Sequence, residues 1–196
     1  ASSIHTHAKI IKTWTRFMAA EGIIPADPCT RLTMPRLETL EAPTFSPDEI
    51  KRLLVTVARS PRNTALILTL LDTGLRAAEL CALNIGDVDL KEGTVIVRSG
   101  KGHRFRYVFV GDRTTLALKR YLLRRRQSPA DAPLFASLNH EARLTSGGLL
   151  VICRRIGQEA DVDHCHPHRF RHTFATWALA AGMDLDAVRR ILGHTS

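Results

Sequence analysis

The sequence predicts a mainly α-helical domain with one small antiparallel β-sheet, an α+β fold. Apolar residues recur at helical spacing over most of the 196 residues. TVIVRS at 94–99 and FRYVFV at 105–110 are rich in β-branched and aromatic residues. The GKGH turn between these segments indicates a β-hairpin with Lys101 at or near its tip. A hydrophobic fraction of 44%, 24% charged residues and no apolar run long enough to span a bilayer are typical of a globular domain in water.

The N-terminal segment, residues 1–24, predicts a single amphipathic helix that stops at Gly22. Residues 25–45 contain four prolines and little periodicity, which indicates an extended linker. The chain starts without Met or a signal pattern, so its start reads as that of an excised segment. Because one amphipathic helix needs a partner, we expect residues 1–24 to be the last helix of an otherwise missing domain. The main domain is expected over residues 46–196.

Helix signals are regular in the main domain. The Ser-Pro-Asp-Glu segment at 46–49 can form a capping box at a helix start. A second helix follows Ser60-Pro61, and Gly74 is placed to end it in a left-handed conformation. Apolar spacing predicts further helices, over 76–83, 114–127, 146–160, 170–181 and 185–192.

The net charge of +9 is concentrated in one segment. Residues 1–97 carry 11 basic and 11 acidic side chains, and residues 127–196 carry 7 of each. The excess lies in residues 98–126, where Asp112 is the single acid and the basic residues are Arg98, Lys101, Arg104, Arg106, Arg113, Lys119, Arg120, Arg124, Arg125 and Arg126. Such a density of like charge favours a polyanion such as a phosphate backbone as partner. A solvated basic face is the alternative.

The cysteines and histidines could serve redox or metal chemistry. Cys29, Cys81, Cys153 and Cys165 include no C-x-x-C pair, so we expect reduced thiols and a cytoplasmic location. Histidines and a cysteine cluster at His164, Cys165, His166, His168 and His172, and side chains of these types can hold zinc. The cluster lacks the paired spacing of zinc ligands, and Pro167 favours a helix start there. No metal is therefore expected.

Four short segments together carry a family resemblance. They are TGLRAAEL at 73–80, SGKGHRFR at 99–106, HPHRFRH at 166–172 and ILGH at 191–194. In order and type they resemble the four catalytic boxes of tyrosine recombinases of the phage integrase type, T-G-L-R-x-x-E-L, G-K-G-x-x-R, H-x-x-R-H and L-G-H. The resemblance covers about residues 46–196, and residues 1–45 resemble the last helix and linker of the family's core-binding domain. It implies the tyrosine recombinase catalytic-domain fold and site-specific cutting and rejoining of duplex DNA without a cofactor.

Arg76 and Arg171 are the expected phosphate clamp. Transesterification builds negative charge on the non-bridging phosphate oxygens, which paired guanidinium donors match. Glu79, three residues after Arg76, can orient it or bond nearby backbone. Arg169 lies two residues before Arg171 on the same predicted helix, so it would point elsewhere and is left out.

Two histidines and a lysine are the expected proton-transfer groups. His168 and Arg171 lie three residues apart, hence on one helix face. By resemblance His168 is the acid/base of the second box and His194 is the third-box donor to phosphate. His172 has a supporting role or is a core histidine. Lys101 resembles the family's hairpin lysine, a general acid for the departing 5′ oxygen, with a plain phosphate contact as the alternative.

The resemblance also defines the expected partner and nucleophile. Duplex DNA is bound by a homo-oligomer, a tetramer in the whole enzyme, with no membrane involved. The expected DNA-backbone contacts are Arg98, Arg104, Arg106, Lys119, Arg120, Arg124, Arg125 and Arg126. In the family a tyrosine after the L-G-H box forms a 3′-phosphotyrosyl intermediate, whereas Tyr107 and Tyr121 lie elsewhere in this sequence. We therefore expect the chain to bind DNA but to form no covalent bond in cis.

Two other functions remain compatible with these residues. One is a DNA-binding regulator that keeps the fold without the chemistry, and the other is a type IB topoisomerase. The short T-G-L-R and H-x-x-R-H spacing favours the recombinase by resemblance. The target site is not readable from the sequence, because base readout depends on a few side chains placed in the grooves. Nor does the sequence separate integration, transposition and chromosome-dimer resolution.

Overall fold

The computed structural model describes residues 2–34, 44–98, 105–125, 127–137 and 142–193. The chain divides into two compact units, Ala1–Glu41 and Ala42–Ser196. Within the described ranges, no helix has the length and apolar character needed to cross a membrane.

The smaller unit is built on helix α1, Ser2–Ala20. The chain turns at Gly22, which has a φ of 69°, and the Lys12 ammonium donates to the Leu32 carbonyl at 2.8 Å. Several large apolar side chains of the helix are solvent-exposed: Ile4, Ile10, Ile11, Trp14 and Phe17. Assignment of this helix to a further domain stays a prediction.

The larger unit combines helices with a three-stranded antiparallel sheet of order β1-β2-β3. Its helices are α2 Pro47–Val57, α3 Pro61–Thr73, α4 Ala77–Ala82, α5 Asp112–Leu123, α6 Ser146–Glu159, α7 Pro167–Ala180 and α8 Leu185–Leu192. Its strands are β1 Val88–Asp89, β2 Thr94–Arg98 and β3 Phe105–Phe109. The predicted pairing of the last two is confirmed, with Val95 opposite Val108 and Val97 opposite Arg106. The two-residue strand β1 was not predicted, because it is too short to give a periodic signal.

Helix α3 is the centre of the core. Leu66, Ile67 and Leu70 are fully buried, and α3 is apolar on several sides because α5 and α7 both pack against it. Its end is set by Gly74 at a φ of 58°, which confirms the predicted left-handed cap. This cap lies next to α7, since Arg171 of that helix donates to the Gly74 carbonyl.

Local capping explains where two other helices begin. The predicted capping box of α2 is present, since Ser46 Oγ accepts from the Glu49 amide and Glu49 accepts from the Ser46 amide. Helix α7 starts at Pro167, before the predicted residue 170, because His166 caps it through Nδ1. The chain before α2 also differs from the prediction. Phe45 was assigned to the linker but is buried, and its amide donates to Thr173 Oγ1 at 2.9 Å.

Candidate active site

Three arginine side chains converge on the C-terminal turn of α8. Arg106 Nε donates to the residue 191 carbonyl at 2.6 Å. Arg171 Nη2 donates to the residue 192 carbonyl at 2.8 Å, and Arg76 donates to the carbonyls of residues 192 and 193 at 3.3 Å each. The last carbonyls of a helix lack intrahelical donors and carry partial negative charge. This turn therefore gathers guanidinium groups that are distant in sequence.

Arg76 is held at the opening of the site by the backbone on both sides of it. Gly74 ends α3, and Arg76 is the N-cap of α4 with an extended φ of −66° and ψ of 151°. Its side chain keeps 47% of its surface exposed. An arginine placed in this way can reach a ligand outside the protein without leaving its helix cap.

Arg171 lies deeper in the same site. It is 6% exposed and also donates through Nη1 to the Gly74 carbonyl at 2.9 Å. Burial and the neighbouring Arg76 lower the pKa of Arg171 to about 10. The guanidinium therefore stays protonated at neutral pH. The structure thus brings the two arginines of the expected clamp to a shared carbonyl, that of Leu192.

Glu79 is the carboxylate at the centre of the arginine cluster. Arg106 donates to both of its oxygens at 3.0 Å. Arg76 donates to Oε2 through its amide at 2.9 Å and to Oε1 through Nη1 at 3.1 Å. Burial raises the pKa of Glu79, but the hydrogen bonds from Arg106 and Arg76 outweigh it and hold the pKa below its ordinary value. Glu79 therefore accepts from both the Arg76 side chain and the Arg76 backbone amide, so the two contacts that the sequence offered as alternatives occur together.

His168 and His172 form a pair on α7. Their Nε2 atoms lie 2.9 Å apart and their ring centroids 4.4 Å apart. One of the two nitrogens must donate and the other accept, so at least one ring is neutral. Burial and then the neighbouring His172 lower the pKa of His168. His172 thus contacts the candidate acid/base directly and is not a buried core histidine.

We predict that His172→Ala raises the pKa of His168 toward its ordinary value, because a neighbouring positive charge is removed. NMR titration of the His168 ring measures this shift, and His164→Asn is the control, since asparagine tolerates the left-handed backbone at that position (φ 51°). An unchanged pKa in His172→Ala would contradict the prediction.

The lowered pKa of His168 also makes the stability of the fold depend on pH. Because the fold disfavours the protonated ring, His168 contributes its full stability above about pH 6.5. This contribution is lost as the pH falls from there through the lower pKa of the folded state.

Arg169 is separated from the clamp, as the sequence predicted. Its guanidinium donates to both oxygens of Glu49 at 2.8 and 2.9 Å and to the Thr44 carbonyl at 3.0 Å. It also stacks over the Phe45 ring at 4.1 Å from the centroid. Arg169 therefore fastens the start of the larger unit to α7.

Among the described residues of the basic segment, three arginines bond to other protein groups, and Arg98 does so although 69% of its side chain is exposed. Arg98 pairs with buried Asp87 at 2.7 Å, Arg106 lies inside the site, and Arg125 donates to two backbone carbonyls. Lys119, Arg120 and Arg124 are exposed on or at the end of α5. The remaining expected residues, Lys101, Arg104, Arg126 and His194, lie outside the described residues.

We predict that Arg125→Ala lowers the free energy of unfolding by about 1–3 kcal/mol. Arg125 Nη1 donates to the carbonyls of Pro133 and Leu134 at 2.6 and 2.8 Å, and both would lose a donor. Urea unfolding followed by circular dichroism measures the change. Arg124→Ala is the matched control, because Arg124 is exposed and its replacement should stay within about 0.5 kcal/mol. Equal stability of the two variants would contradict the prediction.

Two arginines have hydrogen-bond partners in the structure that the sequence did not predict. Arg106 was assigned to DNA, although it shares a face of β3 with buried Val108, and that alternation was the available signal. Arg143 donates to the carbonyls of Cys81 and Leu83 and to Asn84 Oδ1, and so holds the end of α4. Nothing in its local sequence marks that role.

The alternative of a zinc site concerns the cluster of His164, Cys165, His166, His168 and His172. Among the described residues, no group of three or more His, Cys, Asp or Glu side chains is arranged to hold a metal ion. Burial raises the pKa of the Cys81 thiol to about 11 and that of Cys165 to about 12. These thiols are therefore protonated at neutral pH.

The fold is that of tyrosine recombinase catalytic domains. The crystal structure of XerA recombinase matches with a TM-score of 0.75 and 31% identity, covering 96% of this chain and 75% of that chain. A Tn1549 transposon integrase in complex with a circular intermediate DNA matches in fold with a TM-score of 0.84 at 20% identity, covering 100% of this chain and 72% of that chain.

The chain belongs to the phage integrase family, whose model matches residues 43–196. The tyrosine recombinase XerC of Roseiflexus sp. (strain RS-1) is 34% identical over 100% of this chain and 66% of its own length. XerC of Oceanobacillus iheyensis is 32% identical over 99% of this chain and 67% of its own length. The chain thus spans about two thirds of the length of these curated relatives.

Proposed function

We propose that the chain provides the phosphate-activating domain of a site-specific DNA recombinase. Arg76 and Arg171 bind the non-bridging oxygens of the scissile phosphate, and His168 and His194 hold or move protons beside it. The nucleophilic oxygen forms a bond to phosphorus while the bond to the 5′ oxygen breaks. Lys101 gives the departing 5′ oxygen its proton.

The observation that carries this proposal is the convergence of Arg76 and Arg171 on one carbonyl, with Glu79 beside them. Two guanidinium groups at one point supply paired donors for an oxyanion. Three arginines around a single carboxylate leave the cluster with a net positive charge, which attracts an anion. A catalytic site of this kind needs no bound metal to stabilise the charge that develops on phosphate.

Duplex DNA is the proposed substrate, with tetramer assembly on DNA in the whole enzyme. A XerH recombinase bound to its difH substrate matches this chain with 28% identity and a TM-score of 0.68, covering 82% of this chain and 50% of that chain. Lys119, Arg120 and Arg124 are exposed and free of an acidic neighbour in sequence, which suits contacts to flanking phosphates. Phage integration, transposition and chromosome-dimer resolution all use this chemistry.

A small phosphodiester tests the proposal without a known target site. The reporter is the p-nitrophenyl ester of thymidine phosphate, with hydrogen peroxide as an added nucleophile. A peroxide oxygen forms the bond to phosphorus, and p-nitrophenolate leaves without needing a proton. We expect release of nitrophenolate to exceed that in buffer, and duplex DNA to inhibit it at low salt and less at high salt.

Replacing Lys119, Arg120 and Arg124 together by alanine should weaken inhibition by duplex DNA while leaving turnover of the small reporter unchanged. The salt dependence of inhibition should become shallower by about one unit of slope for each lost phosphate contact. Inhibition without any turnover would favour the non-catalytic regulator. If the chain shows no turnover and also no binding to duplex DNA, the proposal as a whole is contradicted.

A further inference from the structure

Arg106 occupies a place in the site that phosphate contact does not explain. Its guanidinium donates through Nη1 and Nη2 to the two oxygens of Glu79 and through Nε to the Ile191 carbonyl. Its side chain is only 18% exposed, against 47% for Arg76. Gly193 approaches this side chain closely, since a Cβ on Gly193 would lie 2.9 Å from Arg106 Nη1.

We propose that Arg106 is a positioning residue. It binds both oxygens of Glu79, so that this carboxylate orients Arg76 without cancelling the Arg76 charge that phosphate binding needs. The inference rests on the proposed function, in which Arg76 binds the scissile phosphate. It replaces the expectation that Arg106 grips flanking DNA.

The sharing of Glu79 between two arginines is the first step. Each oxygen of the carboxylate accepts one bond from Arg106 and one from Arg76. Arg106 uses the paired fork geometry, the strong form of this interaction, whereas the Arg76 side chain gives a single bond at 3.1 Å. Four hydrogen bonds fill the acceptor positions of a carboxylate. Glu79 is thereby saturated, and most of its charge is matched by Arg106.

Without Arg106, we expect Arg76 to pair more tightly with Glu79. Both oxygens of Glu79 would lose a donor in a partly buried place, and the Arg76 guanidinium, already bonded to Oε1, could donate to them through its second nitrogen. A paired bond between Arg76 and Glu79 would turn the guanidinium inward and cancel its charge. Phosphate would then have to break that pair before binding.

Arg106 also connects the clamp to the hairpin. It lies on β3, opposite Val97 on β2, and its partners lie on α4 and at the end of α8. Lys101 precedes β3 in the sequence. The Arg106 side chain therefore fixes two groups at once. One is β3, the strand that follows Lys101, and the other is the Glu79 carboxylate that orients Arg76.

The test compares four forms of the chain in the reporter assay: the unaltered chain, Arg106→Ala, Glu79→Gln and the double variant. We expect Arg106→Ala to lower kcat/KM about 10–100-fold, chiefly by raising KM, as for other groups that orient a functional side chain. Glutamine at position 79 keeps an acceptor for the Arg76 amide and so preserves the helix cap. The double variant should recover most of the lost activity, since no carboxylate remains to take over Arg76.

The outcomes separate positioning from a merely structural role. Recovery of kcat/KM in the double variant, corrected for the folded fraction, supports the proposal, because relief of the charge left on Glu79 would restore stability without changing kcat/KM per folded molecule. Unchanged kcat/KM in Arg106→Ala overturns it, and so does a loss that Glu79→Gln does not repair in folded protein. If Arg106→Ala does not fold, Arg106→Lys takes its place, with and without Glu79→Gln, and the same criteria apply.

One further arm separates this proposal from the proposed function. Arg171→Ala removes a clamp residue whose hydrogen bonds go to the Gly74 and Leu192 carbonyls and not to Glu79. If Arg171→Ala leaves turnover unchanged, the proposed function fails. If it abolishes turnover while Arg106→Ala does not affect it, only the positioning role of Arg106 fails.

Discussion

Replacement of Arg171 by alanine is expected to lower kcat/KM for the thymidine p-nitrophenyl phosphodiester about 100–1000-fold, the cost of removing one preorganised donor to a developing oxyanion. Arg171 is 6% exposed and fixed by the Gly74 and Leu192 carbonyls. Its donors therefore need little reorganisation when charge builds on phosphate. The rate of nitrophenolate release, corrected for the folded fraction, measures the effect.

Two companion variants make this result specific. Arg189→Ala removes the same charge from an exposed position on α8, where Arg189 contacts Asp186, and should leave kcat/KM unchanged. Arg171→Lys keeps the charge but loses the planar pair of donors, so it should fall between the alanine variant and the unaltered chain. A rate for Arg171→Ala equal to that of Arg189→Ala would remove Arg171 from the clamp.

Gly74→Ala is expected to lower the free energy of unfolding by about 2–4 kcal/mol. Gly74 has a φ of 58°, and a Cβ there would lie 2.6 Å from Phe174 Cδ1 and 2.9 Å from Leu192 Cδ2. The substitution therefore adds left-handed backbone strain to overpacking between α3, α7 and α8. Because the Gly74 carbonyl also binds Arg171, reporter turnover should fall together with stability.

Gly182→Ala separates the two causes of this destabilisation. Gly182 has a φ of 87°, and an added Cβ would meet nothing within 4 Å. Its replacement should therefore show the backbone strain alone, about 1–2 kcal/mol. Chemical denaturation of both variants gives the difference. Equal losses at the two positions would mean that the packing around Gly74 relaxes without cost.

Much of the fold was predictable because its signals are local. The capping box at residues 46–49 involves side chains and amides three residues apart, and the left-handed cap at Gly74 depends on one residue's lack of a Cβ. The β2–β3 pairing follows from two β-rich segments joined by a short turn. The position of Phe45 was missed, because its partners, Phe170 and Thr173, are more than 120 residues away in the sequence.

The sequence by itself determined the class of the fold and the family resemblance, and it selected the two arginines proposed for the clamp, since these depend on residue type, order and short spacing. Only the tertiary structure decided what the other basic residues do. Arg106, Arg98 and Arg125 belong to the same basic segment as exposed Arg124, yet each is bonded to a different group. A guanidinium binds whichever acceptor the packing brings within about 3 Å. For Arg106 that acceptor is Glu79, which lies 27 residues away and is brought there by the packing of α4, β3 and α8.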